Sequence, residues 1–465
     1  MTALPMGKLF GIWRSWSTKK RAIIVGSLLA VVVAGAAVAY VALKGPGDIS
    51  NPNARFVKKK APKKEKPAKD LTTDWPTYGL DNQRTRYLSS ATVRPPFASS
   101  KWSFQAGKLL EFSPIIVGKR LYFMDIDAHV YAMEASNGKQ IWKRQYGTKQ
   151  ASAPTYDDGN LFMVNLEPGQ AFSLKAKNGR LRWKTPLPGR SESSPLIYHH
   201  RVIFGCECGE VFALDQDTGK ILWHTQVGGA VKGALAQDGG NVFGGSYGGD
   251  VFSIDASSGK VNWTANTTGG SFLRGGGVYS TPTVAYGRVY LGSIDSRVYS
   301  FDEKTGAIAW AKATGAEVYT GPAVADTKQT GPTVYLGSAD GNFYAYDAKD
   351  GSTRWQVPVG GQVTGAASVI GNVVYVSVIG PSVGTLGLDI RTGKKVYEND
   401  IGEYNPAISD GSKLYLTGYS ELRAFVPKKE VREARKKRTG SQSGKKAKAD
   451  NGKNNKKSAK KDEKK

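Results

Sequence analysis

The chain has 465 residues and a formal net charge of +26, with 65 Lys and Arg against 39 Asp and Glu. Residues 1–70 carry 14 Lys and Arg against 3 Asp and Glu, and residues 428–465 carry 17 against 5, so the excess lies almost wholly at the two ends. A nearly neutral body argues against a folded nucleic-acid-binding domain, and the two cysteines exclude a disulfide-rich scaffold.

The first predicted element is an apolar helix over residues 22–43, AIIVGSLLAVVVAGAAVAYVAL, which contains no charged residue. At about 1.5 Å per residue this helix matches a hydrocarbon core of about 30 Å, so we expect a transmembrane signal anchor. The basic segment 1–21 would lie in the cytoplasm and the rest of the chain outside, as a single-pass protein of the cell membrane. A signal peptide cleaved after the small residues 37–39 is the alternative, and it also predicts export.

Two lysine-rich segments flank the predicted folded body. Residues 44–73 are rich in Lys and Pro, and residues 428–465 are rich in Lys and nearly free of apolar side chains. Neither can bury a core, so we expect an extended linker and a disordered tail. Both could bind polyanions, either anionic lipid or a wall polymer, or serve only as solvated spacers. The tail has no aromatic residues between its lysines, which disfavours nucleic acid as a partner.

One short pattern recurs seven times in the body. Its clearest copy is VYSFDEKTGAIAW at residues 298–310, which reads as a strand, a tight turn that ends in glycine, and a second strand that carries Trp. The turn glycines are Gly138, Gly179, Gly219, Gly259, Gly306, Gly351 and Gly393. A spacing near 42 residues with strand signals throughout is typical of a β-propeller with one four-stranded blade per repeat.

An eighth Trp-type strand precedes the first repeat, at residues 101–107. The eight corresponding positions are Trp102, Trp142, Trp183, Trp223, Trp263, Trp310, Trp355 and Tyr397. Because the last repeat ends after its third strand, residues 101–107 are expected to pair with residues 421–427 and to close the ring. The pattern therefore predicts an all-β, eight-bladed propeller over residues 74–427, with the tryptophans packed between neighbouring blades.

The opening of the body, DWPTYGLDNQRTRY at residues 74–87, and the repeated D-x-x-TG-K-x-x-W pattern resemble the pyrroloquinoline-quinone (PQQ) repeat family. That family includes quinoprotein alcohol dehydrogenases and the non-enzymatic propeller lipoprotein of the outer-membrane assembly machine. The resemblance implies the eight-bladed fold, and it does not imply a particular activity. The dehydrogenases bind PQQ and Ca²⁺ with a catalytic Asp, but no catalytic residue can be carried over by motif to this chain.

A candidate site follows from the fold, because the start of each inner strand faces the central channel. Three positions before the proline of each inner strand, or its equivalent, lie Glu111, Ala151, Glu192, Lys232, Tyr279, Tyr319, Thr364 and Glu403. Converging carboxylates and tyrosines favour a site for a cation, a cofactor or a sugar. The alternative is a hydrated channel mouth with ordinary surface charges, and no cofactor is our first expectation.

The cysteines, Cys206 and Cys208, are expected at a hairpin turn, as a local disulfide or as a pair of free thiols. His199 and His200 fall at the opposite end of the strand, so a four-ligand metal site is not expected. The Gly-rich stretch 269–280 matches no nucleotide-binding motif and is interpreted as an inserted loop.

These observations favour a scaffold that binds a protein partner in the cell envelope, with residues 269–280 as the expected contact. One alternative is a PQQ- and Ca²⁺-dependent dehydrogenase that uses the channel. The other is a wall-polymer tether in which the tails bind and the propeller is a spacer. Whether the protein is an enzyme stays open from the sequence, and a protein without enzymatic activity is favoured.

Overall fold

The computed structural model describes residues 17–44, 47–57, 74–89, 93–268, 276–380 and 384–428. The tail beyond residue 428 and the linker residues 58–73 lie outside these ranges.

The residues that were predicted to span a membrane lie in one helix, α1 (Thr18–Lys44). Within the described part of the chain, however, no helix combines the length and the apolar character needed to cross a bilayer. The transmembrane prediction is therefore not supported.

The described body forms eight sheets of four principal strands, one per blade. Three strands precede the first complete blade: β1 (Ile49–Ser50), β2 (Tyr87–Leu88) and β3 (Trp102–Gln105). Blade 1 contains β4 (Ile115–Val117), β5 (Arg120–Met124), β6 (His129–Glu134) and β7 (Gln140–Gln145). Blade 2 contains β8 (Thr155–Asp157), β9 (Asn160–Asn165), β10 (Gln170–Lys175) and β11 (Leu181–Pro186). Blade 3 contains β12 (Leu196–Tyr198), β13 (Arg201–Gly205), β14 (Glu210–Asp215) and β15 (Ile221–Gln226). Blade 4 contains β16 (Ala236–Asp238), β17 (Asn241–Gly245), β18 (Asp250–Asp255) and β19 (Val261–Asn266).

The second half of the ring repeats this order. Blade 5 contains β20 (Thr283–Ala285), β21 (Arg288–Ser293), β22 (Arg297–Asp302) and β23 (Ile308–Ala313). Blade 6 contains β24 (Ala323–Thr327), β25 (Gly331–Gly337), β26 (Asn342–Asp347) and β27 (Thr353–Pro358). Blade 7 contains β28 (Ser368–Ile370), β29 (Val373–Val378), β30 (Gly384–Asp389) and β31 (Lys395–Asn399). Blade 8 contains β32 (Ile408–Ser409), β33 (Leu414–Thr417) and β34 (Glu421–Phe425), and its outer strand is β3.

The predicted closure of the ring is confirmed. Strand β3 pairs antiparallel with β34, with Trp102 opposite Ala424 and Gln105 opposite Glu421. The first outer strand thus completes the last blade. This pairing joins the two ends of the propeller and removes an open sheet edge, as closed β architectures require.

The repeated motif forms the turn between the third and fourth strands of a blade. In blade 5, the carboxylate of Asp302 accepts hydrogen bonds from the amides of Lys304 and Thr305 and from the Thr305 hydroxyl. Gly306 follows with φ = 73°, a left-handed conformation that glycine adopts without steric cost. The Asp, Thr and Gly of the motif therefore specify the turn, and the Trp that follows contacts the next blade.

The tryptophans join neighbouring blades, as predicted. The indole of Trp310 in blade 5 donates a hydrogen bond to the carbonyl of Ala348 in blade 6, at 3.2 Å. The ring also covers Gly351, where an added Cβ would lie 2.8 Å from an indole carbon. The other six tryptophans donate equivalent bonds, to the carbonyls of Ala135, Ala176, Gln216, Ala256, Glu303 and Ile390. Packing of these large rings stabilises seven of the eight blade interfaces. At the eighth, between blades 7 and 8, Tyr397 contacts Phe97 edge-on at 5.0 Å.

Residues 75–88, which we call the plug, cross one end of the central channel. Backbone bonds join them to inner strands in turn: Trp75 to Ile116 of blade 1, Pro76 to Tyr156 of blade 2, and Asn82 to Gln237 of blade 4. The contacts continue from Gln83, Thr85 and Arg86 to Val284, Val324 and Val369 of blades 5, 6 and 7. The plug therefore lies against almost the whole ring of inner strands and covers that end of the channel.

Arg84 anchors the plug. Its guanidinium is fully buried and donates to the carbonyls of Leu235, Ser194 and Pro195 at 2.8, 3.3 and 3.1 Å, and to the carbonyl of Tyr78. A buried guanidinium is tolerated only when several acceptors replace its water shell. Here those acceptors belong to blades 3 and 4 and to the plug, so one side chain joins all three.

The structure differs from the expected extended linker at residues 47–57. Strand β1 pairs with β23 and adds a fifth strand to blade 5. The buried guanidinium of Arg288 donates to the carbonyls of Ala54 and Arg55, and Phe56 stacks on Tyr286 with ring centroids 5.3 Å apart. We call this short stretch the strap. Besides the backbone pairing and the Arg288 bonds, Arg297 donates to the carbonyl of Gly47 at 3.2 Å and Lys312 pairs with Asp48 at 3.4 Å. The composition of the segment does not reveal these contacts.

Candidate functional site

A cavity of about 330 Å³ lies in the channel, between the plug and the starts of the inner strands. The turns between second and third strands lie at the same end of the ring, which we call the mouth face. Tyr78 of the plug lines the cavity and contacts Phe112 edge-on at 5.5 Å. The cavity is thus a pocket whose floor includes the plug. Its other lining residues are Glu111, Glu192, Lys232, Gly233, Ala234, Tyr279, Thr281, Tyr319, Gly321, Thr364, Gly365, Ala366, Ile379, Tyr404, Asn405 and Pro406.

The structure brings together six of the eight residues expected at the channel. They are Glu111, Glu192, Lys232, Tyr279, Tyr319 and Thr364. Ala151 and Glu403 are not among the lining residues. In blade 8 the neighbours of Glu403 line the pocket instead, and Asn405 is held there because its amide donates to the carbonyl of Leu110 at 2.7 Å.

Lys232 is the centre of a charged network at the mouth. Its ammonium lies 3.0 Å from Glu192 and 3.6 Å from Glu207, and Glu207 also accepts from Arg190 at 2.8 Å. Burial alone would lower the pKa of Lys232, but the two carboxylates raise it above its usual value. For Glu192 the effects are reversed: burial raises the pKa of its carboxyl group, and Lys232 opposes this shift by stabilising the carboxylate. Lys232 therefore remains charged at neutral pH.

Glu207 is a functional candidate that the sequence reading missed. It lies between Cys206 and Cys208, which the structure joins in a disulfide at the turn between β13 and β14. Its amide donates to the carbonyl of Arg190 at 3.0 Å, and its side chain is 10% exposed. The equivalent turn residue in blade 4, Tyr247, makes the same backbone bond to Ala230. Comparing this position across the repeats would have identified both residues.

Glu111 is the pocket's carboxyl group without a bonding partner among the described residues. Burial, and secondarily the negative charge of Glu192, raises the pKa of Glu111 to about 7, while Lys232 partly offsets the shift. A carboxyl group with this pKa changes between its neutral and its ionised form near neutral pH. Glu111 is thus able to ionise in response to a positive charge that enters the pocket.

Tyrosine rings form one wall of the site. Tyr279 contacts Tyr319 and Tyr247 edge-on, with centroids 6.2 and 5.9 Å apart, and its hydroxyl donates to Glu192 at 3.3 Å. The ammonium of Lys232 lies 5.6 Å from the centre of the Tyr247 ring. Burial and the adjacent carboxylates raise the pKa of Tyr279 far above its usual range, so this phenol stays neutral. The wall presents neutral rings and hydroxyls beside carboxylates.

This chemistry suits the binding of a polar or positively charged group. Within the described ranges, no cluster of three or more His, Cys, Asp and Glu side chains is arranged to hold a metal ion. His199 and His200 lie in the turn between β12 and β13, far along the strand from the disulfide. The pocket also lacks a serine or cysteine nucleophile beside a base, the arrangement that acyl transfer requires.

A family model described as outer membrane protein assembly factor BamB matches residues 95–234 and 207–430. The two matches together cover the propeller from just before β3 to just after β34.

Solved structures resemble the fold at low sequence identity. BamB from Moraxella catarrhalis superposes with a TM-score of 0.60 at 18% identity, over 71% of this chain and 99% of that one. A quinohemoprotein alcohol dehydrogenase from Comamonas testosteroni gives 0.62 at 14% identity, over 76% and 80%. Among curated sequences, tetrathionate hydrolase of Acidithiobacillus ferrooxidans is 34% identical over 76 residues, which is 16% of this chain and 15% of that protein. This chain therefore matches only a small part of that relative's length.

The pocket residues do not fit PQQ held by Ca²⁺. PQQ is a tricarboxylate, so a pocket that binds it must supply cations for its acid groups. Here Glu111 and Glu192 line the pocket, and the single lining ammonium, Lys232, is already paired with carboxylates. The lining acids also do not form a metal-ligand cluster among the described residues.

Proposed function

The chain belongs to the PQQ-repeat propeller family described as outer membrane protein assembly factor BamB, and from this premise we propose that it is a protein-binding scaffold of the cell envelope. The partner docks on the mouth face. The disulfide between Cys206 and Cys208 supports a location outside the cytoplasm, because such bonds persist mainly in oxidising compartments.

One observation carries this proposal: three large tyrosines are exposed around the pocket. Tyr247 of blade 4 is 42% exposed, and Tyr404 and Tyr419 of blade 8 are 39% and 57% exposed. Blades 4 and 8 are opposite each other in a ring of eight, so these side chains flank the pocket from two sides. Tyrosine is enriched in protein interfaces because it adds a large apolar area and one hydroxyl at little entropic cost.

Ring rigidity favours the same function. Seven of the eight blade boundaries are bridged by a tryptophan indole that donates to the next blade, so the mouth face is a pre-organised surface rather than a set of independent loops. A partner that binds a rigid surface does not have to supply the free energy of ordering it. Residues 269–280 were the expected partner contact. The structure describes this segment only from Gly276 onward, so the contact remains a prediction.

Site-specific photo-crosslinking in living cells tests the proposal. A photoreactive phenylalanine analogue is placed at Tyr247, Tyr404 or Tyr419, and at Leu222 and Val396 on outer strands as equally exposed controls. We expect one defined protein adduct from the tyrosine positions and none from the controls. That partner is then purified, and alanine at Tyr247 and Tyr404 should weaken its binding to the purified propeller at least about tenfold. Equal adducts at all five positions, or unchanged affinity, would contradict a docking role for the mouth face.

A further inference from the structure

Two carboxyl groups, Glu111 and Glu192, and one ammonium group, Lys232, line the pocket. Lys232 neutralises Glu192 and approaches Glu207, which Arg190 also contacts. Glu111, on the side of blade 1, makes no ion pair or hydrogen bond with the described residues. An unpaired carboxyl group in a concave, partly dehydrated site is costly to ionise, and a cation from outside removes that cost.

The aromatic wall favours an organic cation over a metal ion. Ring faces attract ammonium and guanidinium groups, which also have an apolar stem that packs on the rings. The protein's own Lys232 already shows this arrangement, with its ammonium beside the Tyr247 ring and two carboxylates. Tyr279, Tyr319 and Tyr404 present further rings to the cavity. A metal ion would need a set of ligands that the described residues do not provide.

The size of the cavity limits what enters it. A volume of about 330 Å³ accommodates one long side chain or a small molecule, and the plug covers the opposite end. A side chain of a docked protein would therefore enter from the mouth face. The exposed tyrosines lie on both sides of this opening, where they could contact the backbone of the segment that carries it.

We propose that the pocket receives one basic side chain, a lysine or an arginine, presented by the segment of the partner that crosses the mouth face. Glu111 and Glu192 bind its charge, and Tyr279 and Tyr319 pack along its stem. This inference rests on the proposed scaffold function and adds the chemistry by which the partner is recognised. Binding brings the cation to Glu111, whose pKa of about 7 reflects its burial and its neighbours Glu192 and Lys232.

Ligand-observed NMR with a matched set of short peptides tests this inference directly. Each peptide contains glycine and serine around one central residue, which is lysine, arginine, norleucine or acetyl-lysine. The full chain is compared with Glu111→Gln, Glu192→Gln and the control Glu398→Gln, whose carboxylate pairs with Lys395 on the exposed outer strand β31. Thermal unfolding of each variant shows whether it is folded.

We expect lysine or arginine peptides to bind at least about tenfold more tightly than norleucine and acetyl-lysine peptides, because only they make charge-assisted contacts. Glu111→Gln and Glu192→Gln should each remove most of this difference, and Glu398→Gln should leave it unchanged. Equal binding of lysine and norleucine peptides would overturn the inference, as would full binding by both pocket variants.

Failure of this inference can be told apart from failure of the scaffold function. If the tyrosine positions crosslink a partner but the pocket variants bind that purified partner with unchanged affinity, the basic-side-chain inference is wrong and the scaffold function stands. If the tyrosine positions give no specific adduct, the docking face itself is wrong.

Discussion

The ammonium of Lys232 in blade 4 lies 3.0 Å from a carboxylate oxygen of Glu192 in blade 3, and this ion pair crosses the boundary between two blades at the channel mouth. Both side chains are mostly buried, at 19% and 14% exposure. The pair therefore differs from ordinary surface ion pairs, in which water weakens the attraction. It also connects the pocket to Glu207 on the disulfide turn.

Replacing Lys232 with methionine should lower the free energy of unfolding by about 1–3 kcal/mol at pH 7, because Glu192 loses its cationic partner in a partly buried site. Urea denaturation of the purified variant measures this change. Lys149→Met is the matched control, since the Lys149–Glu167 pair is exposed and should contribute less than about 1 kcal/mol. Equal losses in the two variants would show that the Lys232 pair has no special role.

Glu111 should make stability depend on pH. Its folded pKa of about 7 exceeds the usual value of 4.5, so the folded state holds a proton that the unfolded state releases. The stabilisation is fully present below pH 4.5 and is lost as the pH rises through 7, by about 2–3 kcal/mol. Glu111→Gln should remove this loss, so the variant should gain stability relative to the wild type between pH 5 and pH 8. Urea denaturation at pH 5 and at pH 8 measures the free energy of unfolding of both proteins. An equal change in the two proteins between these pH values would contradict the prediction.

Gly351→Ala tests the contact between blades. The added Cβ would lie 2.8 Å from the Trp310 indole. The alanine would also have to adopt the left-handed φ of 73° that Gly351 has. We expect a loss of about 2–4 kcal/mol, from overpacking together with left-handed backbone strain. Gly159→Ala measures the backbone strain alone, because Gly159 has φ = 75° and open space around it. This substitution should cost only about 1–2 kcal/mol. The difference between the two measured unfolding free energies reports the packing on Trp310.

Arg288→Met should release the strap from blade 5. The carbonyls of Ala54 and Arg55 lose their donor, so the amides of Asn51 and Val57, bonded to Ala309 and Tyr286, should exchange hydrogen at least about tenfold faster. Hydrogen–deuterium exchange with mass spectrometry measures this. Arg201→Met is the control, because Arg201 begins the equivalent strand of blade 3 and, among the residues that the structure describes, donates only to the nearby His199 carbonyl. Unchanged exchange in the strap would mean that the Arg288 bonds do not hold it in place.

The ring of pocket residues was largely predictable because each one occupies the same position in a repeat. Glu111, Glu192, Lys232, Tyr279, Tyr319 and Thr364 follow from aligning the starts of the inner strands. Glu207 and Tyr247 occupy another repeated position, at the turn between second and third strands, and could have been found in the same way. Tyr78 could not, because it belongs to the plug, which has no counterpart in the repeats.

By itself, the sequence determined the eight blades, the closing strand and the packing of the tryptophans between blades, because these depend on short-range turns and on spacings that recur along the chain. Only the tertiary structure decided where the non-repeating segments lie. Asn82 donates to Ile197, 115 residues away, and Arg288 donates to Ala54, 234 residues away. Such partners are chosen by the geometry of the closed ring, which places buried carbonyls where a guanidinium or amide can reach them. The plug, whose Tyr78 lines the pocket, takes its place from the inner strands of several blades, and the strap takes its place from blade 5.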